Sequence, residues 1–236
     1  VPPRTPLLRP DRFFAERDFH ATRLLIVGTI LVFSLPAAVG GVGWVLTDHV
    51  DGTVMVDNPE RPPDTFCESA PDSMTDGCDA PAQIEQDVDV LLRDAMDEFM
   101  GPALLGFPIV LAILAGVLHA GAWMADGTGG VGESIAITLW GLVPSIFALP
   151  LAIGLMALLL DPMTVSPGAN PSLLVEQLRT DLQPMVTWGP IISGVTTLWG
   201  AAIWRFGLEY KRGLDRVEAS VLAGIVAVLF WAGSLL

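Results

Sequence analysis

Ile135 to Leu160 reads IAITLWGLVPSIFALPLAIGLMALLL, a run of 26 residues without one charged side chain. A helix needs roughly 20 apolar residues to cross a hydrocarbon core of roughly 30 Å, so this stretch is long enough to span a membrane. Four further stretches of the same kind lie around it: Leu24–Leu46, Ala103–Met124, Val186–Trp204 and Val217–Leu236. The pattern predicts an all-α integral membrane protein, a five-transmembrane-helix bundle with an acidic insert (47–102) between the first and second spans. The remaining connections are an arginine-rich N-terminal segment (1–23), a glycine-rich loop (125–134), a second polar loop (161–185) and a basic loop (205–216).

The chain of 236 residues is 52% hydrophobic yet carries a formal net charge of −14, so its apolar and acidic residues must be segregated. Fifteen of the 26 acidic residues fall between Asp48 and Glu98, and Lys211 is the only lysine. Excess surface carboxylate keeps a protein soluble where high salt screens its self-repulsion, which points to a halophilic source; an ordinary acidic extracytoplasmic loop is the plainer alternative. No basic patch with interleaved aromatics lies away from the span ends, so nucleic acid is not an expected partner.

Short cytoplasmic loops are enriched in Lys and Arg. Arg4, Arg9, Arg12, Arg17 and Arg23 precede the first span, and Arg205, Lys211, Arg212 and Arg216 surround the connection between the fourth and fifth. With five spans both groups fall on one side. The expected topology is a multi-pass cell-membrane protein with its N-terminus cytoplasmic and its C-terminus extracytoplasmic. The acidic insert then lies outside. Its first half, rich in Asp and Pro, reads as irregular chain, and Ala82–Met100 reads as an amphipathic helix, with Ile84, Val88, Leu91, Leu92, Ala95 and Phe99 at helical spacing. Cys67 and Cys78, the only cysteines, both lie in this segment and are expected to form a disulfide. A metal site built from the two thiols with Glu68, Asp76 and Asp79 is the weaker alternative, because no second Cys or His pair completes it.

Other chemistry is sought with little return. His119 is the only histidine within a span, so no bis-histidine haem site forms; it reads as an interhelical hydrogen-bonding residue, or as a proton relay. Ser193 with His119 lacks the GxSxG elbow and the third group of a hydrolase triad. The glycines at 127, 129, 130 and 132 lack the GK[ST] ending of a phosphate loop. No catalytic residue, cofactor or metal is therefore expected. The spans do carry packing signals: Gly189, Ser193, Thr197 and Ala201 form a small-residue stripe on the fourth span, Ala219, Ala223 and Ala227 on the fifth, and Ala112, Gly116 and Ala120 on the second. Pro108, Pro144, Pro150 and Pro190 mark kinks whose freed carbonyls need new partners.

Three short runs resemble the prokaryotic, haloarchaeal-type branch of the Yip domain family: Leu8-Arg9-Pro10-Asp11-Arg12-Phe13-Phe14 before the first span, Gly129-Gly130-Val131-Gly132-Glu133-Ser134, and Gly141-Leu142-Val143-Pro144 continuing to Leu149-Pro150. The resemblance implies a five-span bundle with a cytoplasmic N-terminus. Eukaryotic relatives are trafficking factors that associate with Rab-type GTPases, but their acidic-aromatic motif before the first span is absent here. What the resemblance implies is a non-enzymatic membrane protein working through contacts.

The expected function is accordingly a membrane scaffold or accessory subunit whose partners are membrane lipid and another membrane protein or a second copy of the chain. Arg9, Arg12, Phe13, Phe14 and Arg17 are expected to dock on the anionic inner leaflet. The alternative is a permease or channel component, with His119, Ser193, Thr196 and Thr197 lining a polar path between the second, third and fourth spans.

Overall fold

The computed structural model describes residues 3–69, 77–166 and 171–233. Along the chain run α1 (Pro10–Glu16), α2 (Ala21–His49), β1 (Val50–Asp57), α3 (Asp64–Ser69), β2 (Gln83–Asp87), α4 (Val88–Met124), α5 (Val131–Leu159), β3 (Met163–Val165), α6 (Pro171–Asp181), α7 (Gln183–Arg212) and α8 (Arg216–Gly233). Of these, α2, α4, α5, α7 and α8 are long and apolar enough to cross a membrane.

Side-chain neighbours fix how the five run. Gly28 lies beside Leu139 and Gly41 beside Ile153, which makes α2 and α5 parallel. Gly43 meets Met96, so α4 starts where α2 ends, and Gly121 meets Leu222 where α4 reaches α8. Gly207 faces Ile137 and Gly200 faces Gly141, which sets α7 antiparallel to α5. One end of the bundle therefore collects Arg23, Lys211, Arg212 and Arg216 and is called here the basic end. The opposite, acidic end carries the insert.

α5 is the central helix at the basic end, where every residue from Ala136 through Pro144 is buried. Around it, α2 and α4 leave Leu25, Phe33, Leu105 and Ile109 more than half exposed, a surface that suits lipid and would be costly in water. Proline interrupts α2 at Pro36, α4 at Pro102 and Pro108, α5 at Pro144 and Pro150, and α7 at Pro190. Each removes one helical hydrogen bond.

The insert differs from its expected form. Val50–Asp57 is a strand rather than irregular chain, and it continues directly from α2. β1 pairs antiparallel with β2, from Thr53↔Asp87 to Asp57↔Gln83, and parallel with β3, from Val50↔Met163 to Gly52↔Val165. Gly52 has φ +119 and a Cβ there would run into the Val165 carbonyl, so only glycine permits this close strand approach. The amphipathic helix expected over Ala82–Met100 does not start at Ala82: Gln83–Asp87 is a strand, and from Val88 the helix is continuous with the second span. Ile84, counted there as a helical position, is a strand residue because its backbone is used by β1. With 37 residues α4 is about 55 Å long, so its first turns rise clear of the hydrocarbon and carry Val88, Leu91 and Leu92 into a small core with Val50, Val54 and Val165.

At the tip of the insert Cys67 and Cys78 are joined by a disulfide, Cα–Cα 5.6 Å. Asn58 closes the neck of this loop by donating from its backbone N–H to Ala82 O (3.0 Å) and from Nδ2 to Pro81 O (3.0 Å). The disulfide removes both thiols as metal ligands, and among the described residues no group of three His, Cys, Asp or Glu could hold a metal ion. Asp76, weighed above as a metal donor, and residues 234–236 of the fifth span lie outside the described residues.

Candidate functional site

The tetrapeptide Thr-Leu-Trp-Gly occurs twice, at 138–141 on α5 and 197–200 on α7. The two copies meet. A Cβ on Gly200 would press on the Gly141 carbonyl, and one on Gly141 would overlap the Trp204 indole, so the backbones cross without intervening side chains. Small residues at a crossing let membrane helices approach closely and gain dispersion contacts. Trp204 is 1% exposed and its Nε1 donates to Thr138 O at 3.4 Å.

Both tryptophans of the repeated tetrapeptide hold the N-terminal arm, residues 3–18. Trp199 Nε1 donates to Leu7 O at 2.7 Å. Trp140 takes Phe13 edge-on at a centroid distance of 5.3 Å. Phe13 and Phe14 are 4% and 1% exposed, clustered with Val143 and Ile203. This corrects the expectation that the Phe pair docks on lipid. Two aromatic rings buried against the bundle cannot also enter the bilayer, and their burial is what covers the outer side of α5. Arg9 and Arg12 stay exposed, while Arg17 is partly buried.

The polar residues named for a conduction path fall into two groups. Ser193, Thr196 and Thr197 line a crevice of about 270 Å³ between α5 and α7, together with Ser145 and Gly189. Ser145 Oγ donates to Leu142 O (2.6 Å) and Thr196 Oγ1 to Ile192 O (3.0 Å), so these hydroxyls are turned to their own helices. His119 lies elsewhere, its Nδ1 3.4 Å from Ser134 Oγ, linking α4 to α5 near the basic end. Ser134 and Ser145 are separated by about 16 Å of helix, and Leu118, Ile137, Leu142, Trp204 and Leu208 pack the interval. The predicted path is therefore interrupted: Trp204 fills the space at the crossing.

A third polar group closes the basic end. Arg212, 1% exposed, donates from Nη1 to Gly130 O at 2.8 Å, and its own carbonyl accepts from Thr128 N at 2.7 Å. Glu133 Oε2 accepts from Gly130 N at 2.8 Å, capping α5. Gly213, at φ +70, ends α7 in the left-handed conformation that glycine adopts without penalty. The connections α4–α5 and α7–α8 are thereby tied together.

Against known families, the Yip1 domain profile matches residues 6–236. The chain belongs to the Yip1 domain family. No curated protein and no solved structure matches it. In this Yip1-domain protein the three runs that carried the resemblance occupy connected places: Leu8–Phe14 forms the arm, Gly141–Pro144 the crossing beneath it, and Gly129–Ser134 the loop held by Arg212.

The small-residue stripes have different fates. Ala219, Ala223 and Ala227 are buried in the main core. On α7, Thr197 is buried, but Gly189 has nothing within 4 Å of its Cβ position, so it opens a crevice and packs no helix. That is a correction to the predicted stripe: Gly189, without a side chain, leaves open the crevice that Ala148, Leu149 and Ala152 of α5 line from the other side. Gly200 and Gly207 are the close-packing glycines of α7, and the repeated tetrapeptide was the signal for the first of them. Ala112, Gly116 and Ala120 are exposed on α4, and nothing lies within 4 Å of a Cβ on Gly116.

Proposed function

We propose that this Yip1-domain protein is a non-enzymatic scaffold or accessory subunit of the cell membrane that acts through protein contacts. The observation that carries the reading is the exposed face Ala112, Gly116, Ala120 on α4. In lipid, apolar bulk gives helices no reason to associate, whereas a small-residue face lets a second helix approach closely. The same helix carries the disulfide-closed insert, so a partner on α4 is reported to both parts of the molecule. The basic end faces the cytoplasm and the acidic end faces outside, in keeping with the arginine distribution and with a disulfide in an oxidising compartment. In the crevice the Ser145 and Thr196 hydroxyls bond to their own helix carbonyls, which leaves a contact role as the better use of the bundle.

The test places single cysteines at Ala112, Gly116 and Ala120, and at exposed Leu25 on α2 as a control, and oxidises native membranes at high salt. A discrete product from the α4 positions, either two chains or this chain with one partner, is expected. Equal cross-linking from Leu25→Cys, or none from α4, would sink the proposal. The crevice beside Ser193 and Thr196 favours the permease reading instead, and a solute flux in vesicles that Trp204→Ala increases would support it.

A further inference from the structure

We propose that the N-terminal arm is a lipid-binding element in which Arg4 and Arg9, with Arg12 beside them, take the phosphodiester headgroups of anionic lipid at the basic end. The arm has two chemically distinct sides. Phe13 and Phe14 fill the bundle, and Arg4, Arg9 and Arg12 are exposed on the other side.

Depth gives these charges their meaning. Trp199, which holds Leu7 O at 2.7 Å, lies six residues before Arg205, the first charge at the basic end of its span. That is about 9 Å along the helix. Leu7 is thereby drawn to the depth of acyl chains, while the far end of the arm returns to the surface where Lys211 Nζ meets Asp18 at 3.3 Å. Arg9 follows Leu7 on the way back to that surface and Arg4 precedes it by three residues, both exposed. A guanidinium near hydrocarbon is costly unless it reaches an anion at the interface. Its planar fork matches phosphate in a bidentate way.

Among the described residues no carboxylate supplies that anion to Arg4 or Arg9: Glu16 is engaged by Arg12 at 3.2 Å and Asp18 by Lys211. Asp11, partly buried on α1, is the remaining carboxylate of the arm. The cations are carried by a segment held to the bundle through Leu7 O and the Phe13 ring, and their long side chains extend from acyl depth to the headgroups. Lipid phosphate is the anion available there. The aromatic pair thus serves to aim the arginines, and the bundle gathers anionic lipid around α1.

The experiment reconstitutes the full chain at low salt in nanodiscs of phosphatidylcholine with a minority of phosphatidylglycerol, then counts retained lipids by native mass spectrometry. The wild-type chain is expected to retain phosphatidylglycerol above its bulk share, and Arg4→Gln with Arg9→Gln to lower that enrichment about three-fold or more. Removing two exposed arginines from the same end but off the arm, Arg23→Gln with Arg216→Gln, is expected to leave most of it. Phe13→Ala with Phe14→Ala keeps the charges but frees the arm, and should also lose the enrichment. Unchanged retention in the Arg4/Arg9 variant, or an equal loss from the Arg23/Arg216 variant, would overturn the proposal. The arginine variants alter only exposed side chains, so a matching thermal midpoint separates lipid binding from misfolding.

Discussion

Gly141 and Trp204 decide whether α5 and α7 cross. The indole occupies the space a Cβ on Gly141 would need, and Gly141 itself offers its carbonyl to the Gly200 backbone. Gly141→Ala must therefore move either a buried tryptophan or a helix, at a cost of about 1–3 kcal/mol. Thermal unfolding in nanodiscs, followed by tryptophan fluorescence, should show a lowered midpoint. Gly154 sits on the same helix with nothing within 4 Å of its Cβ position, so Gly154→Ala should be neutral or gain about 0.5–1 kcal/mol from helix propensity. Equal losses in both variants would refute the crossing as the source of stability. Composition could not separate these glycines, because both lie in equally apolar sequence. The repeated Thr-Leu-Trp-Gly does mark Gly141 and Gly200, but a repeat does not say that its copies touch.

The disulfide-closed insert and the arm show how an element acquires its role from what it packs on. The Cys67–Cys78 bridge spans a sequence separation of 11, and closing a loop of that size is worth about 3 kcal/mol in the chain-entropy account. Asn58 and the β1–β2 ladder hold the neck separately. Cys67→Ser with Cys78→Ser is thus expected to loosen the tip alone: proteolysis between 59 and 81 should accelerate, while α4 and the bundle keep their protection. Coincident loss of bundle protection would show that the insert and the spans unfold together. For the arm, sequence showed an arginine-rich segment with two phenylalanines and an apolar bilayer nearby. Burial of Phe13 and Phe14 depends on a groove made by Trp140, Val143 and Ile203, from helices more than a hundred residues away.

Across the whole molecule, charge is divided between two ends. The segment from Asp48 to Glu98 holds fifteen acidic side chains against Arg61 and Arg93, and its self-repulsion is uncompensated at low salt. Raising salt from 0.1 M to 1 M shortens the screening length from about 10 Å to about 3 Å. The thermal midpoint should rise over that range, and the cooperative unit that gains most should be the insert, as read by hydrogen exchange in β1 and β2. A midpoint that falls with salt would contradict this account. The five-span architecture was legible in the sequence, because uninterrupted apolar runs of about twenty residues have few alternatives to crossing a bilayer. The disulfide was legible too, since two cysteines in one short segment admit a single intramolecular pairing. The sheet was not, because Ile84 and Val88 fit helical spacing as well as strand alternation, and the choice rests with β1, a partner outside the local window. The use of each glycine, the inward turn of the phenylalanine pair and the closure at Trp204 were likewise decided only by tertiary structure. Hydropathy determines that a helix lies in the membrane, while the face it turns to its neighbours depends on which backbones can approach.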